Sequence, residues 1–220
     1  MTVLDVRQLS IHYHQHPVIH QLSFTLDEQQ CLCLRGEIGS GKTTLLLSLL
    51  GFVPITTGSI YWFGNPYKKE QDFVTLRGSK VGICFQNASE QLFGPTVLDD
   101  VAFGPLNQGL AKEQAYQIAH EQLARLGIAT LQNRSVNTLS GGEQNFTAIA
   151  GALAMKPDVL LLDEPTNGLD SRNRDKLMQL LKELQLPLLI TSHDEYFIKK
   201  MADDYISLKR LDYPDTDNRV

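Results

Sequence analysis

At 220 residues the chain can build one α/β unit with a small inserted lobe and an ample buried core, but not several such domains. Its 20 Lys and Arg against 25 Asp and Glu leave a formal charge of −5, without a basic tail or lysine block, which speaks against nucleic acid as the main partner. No charged-then-apolar leader opens the chain, and its longest apolar run, near Leu45 to Leu50, falls well short of the roughly 20 residues of a membrane span, so a soluble cytoplasmic chain is expected.

Residues Val3 to Ile11 alternate apolar and polar and predict a strand. His16-Pro17 is expected to interrupt, and Val18 to Leu26 to return as the second strand of an antiparallel hairpin. Tyr13, at the end of the first strand, could stack on an adenine ring or be an ordinary exposed strand tyrosine. His12, His14, His16 and His20 invite a metal-binding reading. Flexible loop histidines are the alternative, and no Cys or carboxylate completes a site. Cys31, Cys33 and Cys84 lack metal-type spacing and read as reduced core thiols.

Gln30-Cys31-Leu32-Cys33-Leu34 reads as a short apolar strand and Thr44 to Leu50 as a buried helix stopped by Gly51. Between them lies Gly36-Glu37-Ile38-Gly39-Ser40-Gly41-Lys42-Thr43-Thr44, which fits the phosphate-loop pattern G-x-x-x-x-G-K-S/T. Glycines there let consecutive backbone N–H groups turn inward on a polyphosphate, and the helix N-terminus adds partial positive charge. Lys42 would reach the β- and γ-phosphates, and Thr43 would place its hydroxyl on Mg²⁺. The pattern arises by chance in about one chain in a hundred of this length. The flanking strand and helix lower that further, so nucleotide binding is expected.

Gly58 to Phe63 predicts a strand, with a turn at Asn65-Pro66. Val81 to Gln86 predicts another, ending on a polar residue where strand C-termini meet ligands. Gln91 to Pro105 holds two Gly-Pro breaks and large apolar residues in no regular period, which suits either a buried connector or a surface that docks a partner. Lys112 to Gly127 is an amphipathic helix with Ala115, Ile118, Ala119, Leu123 and Leu126 on one face. Thr138 to Gln144 then forms a small-residue turn that opens a helix through Met155. It reads as a plain N-cap or, with Gly141-Gly142, as a second anion site.

Asp158 to Leu162 is apolar on both faces, as the middle of a parallel sheet requires, and ends in Asp163-Glu164. Asp163 could hold Mg²⁺ through water beside the phosphate loop, and Glu164 could deprotonate a hydrolytic water. Asn167 to Asp170 turns into a helix over Ser171 to Leu184. Pro187 to Thr191 predicts one more parallel strand, leading to His193, a contact for a γ-phosphate. A loose tail is expected over Leu211 to Val220.

In this order the motifs resemble the nucleotide-binding subunit of an ATP-binding-cassette transporter, over nearly the whole chain. They are the phosphate loop, Gln86, the signature Leu139-Ser140-Gly141-Gly142-Glu143, the carboxylate strand to Glu164, the turn Gly168-Leu169-Asp170 and His193. The resemblance implies an α/β phosphate-loop ATPase: a RecA-like core with an antiparallel β flank (about 1–86 and 156–210), a helical subdomain at about 87–155 and the tail 211–220. It implies ATP and Mg²⁺ as ligands and a head-to-tail pair of cassettes, from the same chain or a relative. In such a pair Ser140, Gly141 and Gly142 face the γ-phosphate held by the other subunit's Lys42, and Asp170 couples the two sites. Tyr13 would stack on adenine, and Gln86 would sense Mg²⁺ and relay to the transmembrane partner. Gln91 to Leu110 and Ala148 to Pro157 are similar to energy-coupling-factor and cobalt/nickel importer ATPases. That implies an importer ATPase peripheral to the inner membrane face, and the short end beyond the last strand favours a cobalt or nickel system. One departure stands out: relatives carry Lys-Gln-Arg after the signature, whereas this chain has Gln144-Asn145-Phe146, which implies altered contacts along that helix. The alternatives are a soluble cassette ATPase on DNA or ribosomes, a metal-binding accessory protein, and an export subunit.

Overall fold

The computed structural model describes residues 1–13 and 16–211. Two strands open the chain, β1 (Thr2–Tyr13) and β2 (His16–Asp27), followed by β3 (Cys31–Arg35) and helix α1 (Lys42–Leu49). Next come β4 (Thr57–Trp62), β5 (Asn65–Tyr67), α2 (Glu70–Thr75), continued as a π-turn over Leu76–Lys80, and β6 (Val81–Cys84). Residues 88–154 are wholly helical in their regular structure: α3 (Ala88–Gln91), α4 (Val97–Asn107), α5 (Lys112–Arg125), two 3₁₀ turns and α6 (Gly141–Ala154). The chain then alternates β7 (Val159–Asp163), α7 (Ser171–Leu184), β8 (Leu188–Thr191), α8 (Glu195–Met201) and β9 (Asp204–Ser207).

The strands form two sheets. An antiparallel sheet runs β2-β1-β4-β5, and a parallel one runs β6-β7-β8-β3-β9. The antiparallel sheet follows from alternation: Leu4, Val6, Leu9 and Ile11 turn to the core, while Arg7, Gln8 and His12 face solvent. The indole of the buried Trp62 on β4 donates to the carbonyl of Leu49, 2.9 Å away, and fixes this sheet against the end of α1. In the parallel sheet β7 lies between β6 and β8, and all five of its residues are buried, which is why it is apolar on both faces. Two cores result. One lies among β7, β8 and helices α4 to α8, the other between the antiparallel sheet, α1 and the opposite face of the parallel strands.

Cys31, Cys33 and Cys84 are buried free thiols. Burial pushes them up from an ordinary 9.0, Cys31 and Cys84 to about 12 and Cys33 to about 11.

Three local expectations change. His16-Pro17 does not interrupt the hairpin: β2 begins at His16, and Pro17 pairs with His12 on an edge strand, where a missing N–H removes no ladder bond. The turn expected at Asn65-Pro66 lies two residues earlier, at Phe63-Gly64, both with positive φ (51° and 77°), as a two-residue hairpin turn demands. Pro66 instead sits on the edge strand β5. Much of the aperiodic stretch Gln91 to Pro105 is the helix α4, whose start is set by the Thr96 side chain accepting from the Asp99 N–H. The further parallel strand expected over Pro187 to Thr191 is β8, and α8 and β9 follow it, with β9 pairing with β3. Most of the anticipated loose tail, residues 212–220, lies outside the described residues.

Candidate functional site

The phosphate loop joins the C-terminal end of β3 to α1 and curls over its own lysine. Gly39 and Gly41 take φ of 82° and 91°, and a Cβ on Gly41 would stand 2.7 Å from a methyl of Val18. Position 41 therefore requires glycine for conformation and for space. The Lys42 ammonium donates to the carbonyls of Gly36 at 2.8 Å and Glu37 at 3.2 Å, and lies 3.7 Å from Glu164 Oε1. It is thus held as a buried point charge on the floor of the loop. The Ser40 hydroxyl beside it is buried and has no hydrogen-bond partner among the described residues.

Opposite the loop, β7 and β8 end in register, with Asp163 beside Thr191. The Thr191 hydroxyl donates to Asp163 Oδ1 at 2.6 Å and accepts from the Glu164 N–H at 2.9 Å. Thr43 donates to the other oxygen of Asp163 at 2.7 Å. A hydroxyl and a carboxylate oxygen so placed are the hard donors that Mg²⁺ takes. Glu164 is buried and sits in the left-handed region, φ 49°, a conformation its surroundings impose on a non-glycine residue. Its Oε2 lies 2.7 Å from His193 Nδ1 and also accepts from the His193 N–H at 3.2 Å. The His193 ring itself is largely exposed.

Asp163, Glu164 and His193 line one cleft of about 600 Å³ together with Tyr13, His16, Val18, the loop from Ile38 to Thr44, and Gln86, with Thr191 buried directly behind the two carboxylates. Tyr13 and Ile38 stand exposed at its rim. The buried Ser40 hydroxyl, the left-handed loop glycines, a buried lysine and a hydroxyl–carboxylate pair together suit a polyphosphate with a divalent cation. Gly36 and Glu37 contribute through the carbonyls that hold Lys42. Ser140, Gly141, Gly142 and Asp170 do not line this cleft. Ser140 caps α6 and Asp170 caps α7, each accepting from the N–H three residues on.

Sequence reasoning missed Thr191, Val18 and, as a member of this cleft, His16. The strand register that sets Thr191 beside Asp163 could have found it. The triplet Gln144-Asn145-Phe146 has its own contacts. Asn145 Nδ2 donates to the Pro165 carbonyl at 2.6 Å, and Phe146 is buried with the Lys176 ammonium 4.9 Å from its ring centroid. No group of three or more metal-ligating side chains occurs among the described residues; His14 lies outside them.

The family described as "ABC transporter" matches residues 19–167. An "Uncharacterized ABC transporter ATP-binding protein" from Haemophilus influenzae is 61% identical over 206 residues, 94% of each chain. An "Energy-coupling factor transporter ATP-binding protein EcfA" from Methanosphaera stadtmanae is 38% identical over 207 residues, covering 92% of this chain and 74% of the relative. Among solved structures, cbiO1 from Clostridium perfringens, described as part of the ABC transporter complex cbiONQ, superposes with a TM-score of 0.85 at 30% identity, over 96% of this chain and 87% of that one. The dimeric ATP-binding cassette MJ0796 in a post-hydrolysis state with ADP and Pi gives 0.86 at 25% identity, over 95% and 97%.

Proposed function

The chain belongs to the ABC transporter family as an ATP-hydrolysing ATP-binding domain, and we propose that it powers a membrane importer of the energy-coupling-factor type. A cobalt or nickel ion, or a vitamin, would be the solute. The energy-coupling-factor relatives and the cbiONQ component support the importer reading. No helix among the described residues is long and apolar enough to cross a membrane. In this reading the pore belongs to partner subunits, and the chain works at the inner membrane face. The helical stretch at about 87–155 forms the subdomain that accompanies the RecA-like core and its antiparallel flank.

One observation carries the hydrolytic assignment: a buried lysine, a Thr–Asp pair and a Glu–His pair converge on a single cleft, while the signature lies elsewhere. Mg²⁺ would supply charge neutralisation on the polyphosphate, held through Thr43, Asp163 and Gln86. Lys42 and the loop amides from Gly36 to Thr44 grip the phosphates, and Tyr13 stacks on the adenine. Glu164 acts as general base toward a water, and His193 holds that base in place and meets the γ-phosphate. Ser140, Gly141 and Gly142 complete the site of a second cassette, a further copy of this chain pairing head to tail, and Asp170 links the two sites.

Co-purification from membranes of a host expressing the neighbouring genes, with mass spectrometry of the partners, tests the transport reading. A multi-spanning subunit with a small substrate-binding membrane protein is the expected result. Recovery with ribosomes or DNA alone would contradict it.

A further inference from the structure

The signature carries a carboxylate, Glu143, and the structure shows what that carboxylate does. Glu143 Oε2 accepts from the Ser140 N–H at 2.8 Å and from the Ser140 hydroxyl at 2.9 Å. Glu143 Oε1 is held at 2.9 Å by Arg134, whose other terminal nitrogen donates to the Thr138 carbonyl at 2.7 Å. The carboxylate is therefore fixed from two sides and bears directly on the residue that faces the partner's nucleotide. These bonds, the Ser140 N–H first, hold the Glu143 carboxyl below its ordinary range and keep it ionised at neutral pH.

An ionised carboxylate only accepts hydrogen bonds, and a serine hydroxyl has one proton to give. While Ser140 donates to Glu143, that proton is committed inside the protomer. A γ-phosphate is likewise an acceptor and needs the same proton, and it also meets the Glu143 charge at the start of α6. We propose that Glu143, braced by Arg134, is a positioning residue that withholds the Ser140 hydroxyl from the partner's ATP and so weakens ATP-driven pairing of the two cassettes. The inference rests on the reading that Ser140 completes the site of a second copy. Closure then requires Ser140 to exchange one anionic acceptor for another. A glutamine at 143 would remove the conflict, because its amide could donate to the Ser140 oxygen while its carbonyl kept the backbone N–H of Ser140.

The test uses the Glu164→Gln protein, which is expected to bind ATP and hydrolyse it at least about a hundredfold more slowly, and follows pairing by light scattering across protein concentrations at saturating Mg-ATP. Adding Glu143→Gln is expected to tighten the dimer by about tenfold, the order of one charge-assisted hydrogen bond. ATP binding to the dilute monomer should not change, since Lys42 lies in a different site. Glu143→Ala should tighten the dimer as well, although losing the cap lowers its Tm. That combination separates positioning from helix stability. If the Glu164→Gln parent pairs and neither Glu143 variant pairs more tightly, the inference is overturned alone. A parent that stays monomeric at saturating Mg-ATP overturns the shared-site reading and this inference with it.

Discussion

Thr191 joins both carboxylates of the cleft through one hydroxyl, donating to Asp163 and accepting from the backbone of Glu164. Thr191→Val keeps the shape and leaves Asp163 Oδ1 without its donor, while the Glu164 N–H keeps the Thr191 carbonyl at 3.1 Å, and the unpaired buried acceptor should cost about 1–3 kcal/mol of stability. Turnover should fall while ATP binding at Lys42 persists. Parallel thermal melts and nucleotide titrations check this, and full activity in the Thr191→Val protein would refute the role. Glu164→Gln should bind ATP and hydrolyse it at least about a hundredfold more slowly, the usual size of a lost general base. Wild-type turnover in that variant would mean that another group is the base. At this scale the sequence was legible where a residue type is diagnostic by spacing, as with Lys42 and Thr43, or by its place at a strand end, as with Asp163, Glu164 and His193. Thr191 was not, because its importance comes from the register that sets it beside Asp163, and period and composition carry no register across a separation of 28 positions.

Elements with strong periodicity or uniform burial read cleanly. β7, α5 and α7 lie where an unbroken apolar run, amphipathic spacing and capping residues place them. The elements that misled are those where glycine and proline sit inside regular structure. α4 contains Gly104 and Pro105 yet continues to Asn107, and Gly104 is needed because a Cβ there would stand 2.5 Å from Met155. Its start was nonetheless written in Thr96-Val97-Leu98-Asp99, a capping pattern. Thr96→Ala should cost about 1 kcal/mol, and melts should show Tm lower by about 2–4 °C for a chain of this size. An unchanged melt would mean that the cap contributes nothing. The phosphate loop makes a sharper demand. Gly41→Ala meets both an unfavourable φ and a Val18 methyl, so titration with labelled ATP should show binding lost. Binding at wild-type affinity would show that the loop tolerates a Cβ there.

Across the whole molecule the two-sheet architecture followed from alternation in β1 and β2 and from unbroken apolar runs in β3, β7 and β8. The order of strands in the parallel sheet, with β3 between β8 and β9, is a tertiary fact that no local pattern encodes. The core itself makes a chemical prediction. With Cys31, Cys33 and Cys84 raised to about 12, 11 and 12 by burial, native protein should resist a thiol alkylator at pH 8 and react only on unfolding. The folded thiols keep their protons while unfolded ones release them from about pH 9 upward. Stability should therefore fall as pH rises from about 9 toward 12, and denaturant melts across that range would show it. The central claim is that the cleft around Lys42 and the distant signature are two halves of one site made by two cassettes. Amide hydrogen exchange on the Glu164→Gln protein, with and without saturating Mg-ATP at high protein concentration, measures this most directly. The account predicts slowed exchange in both segments, residues 36–44 and residues 140–144. Protection confined to 36–44 would contradict it.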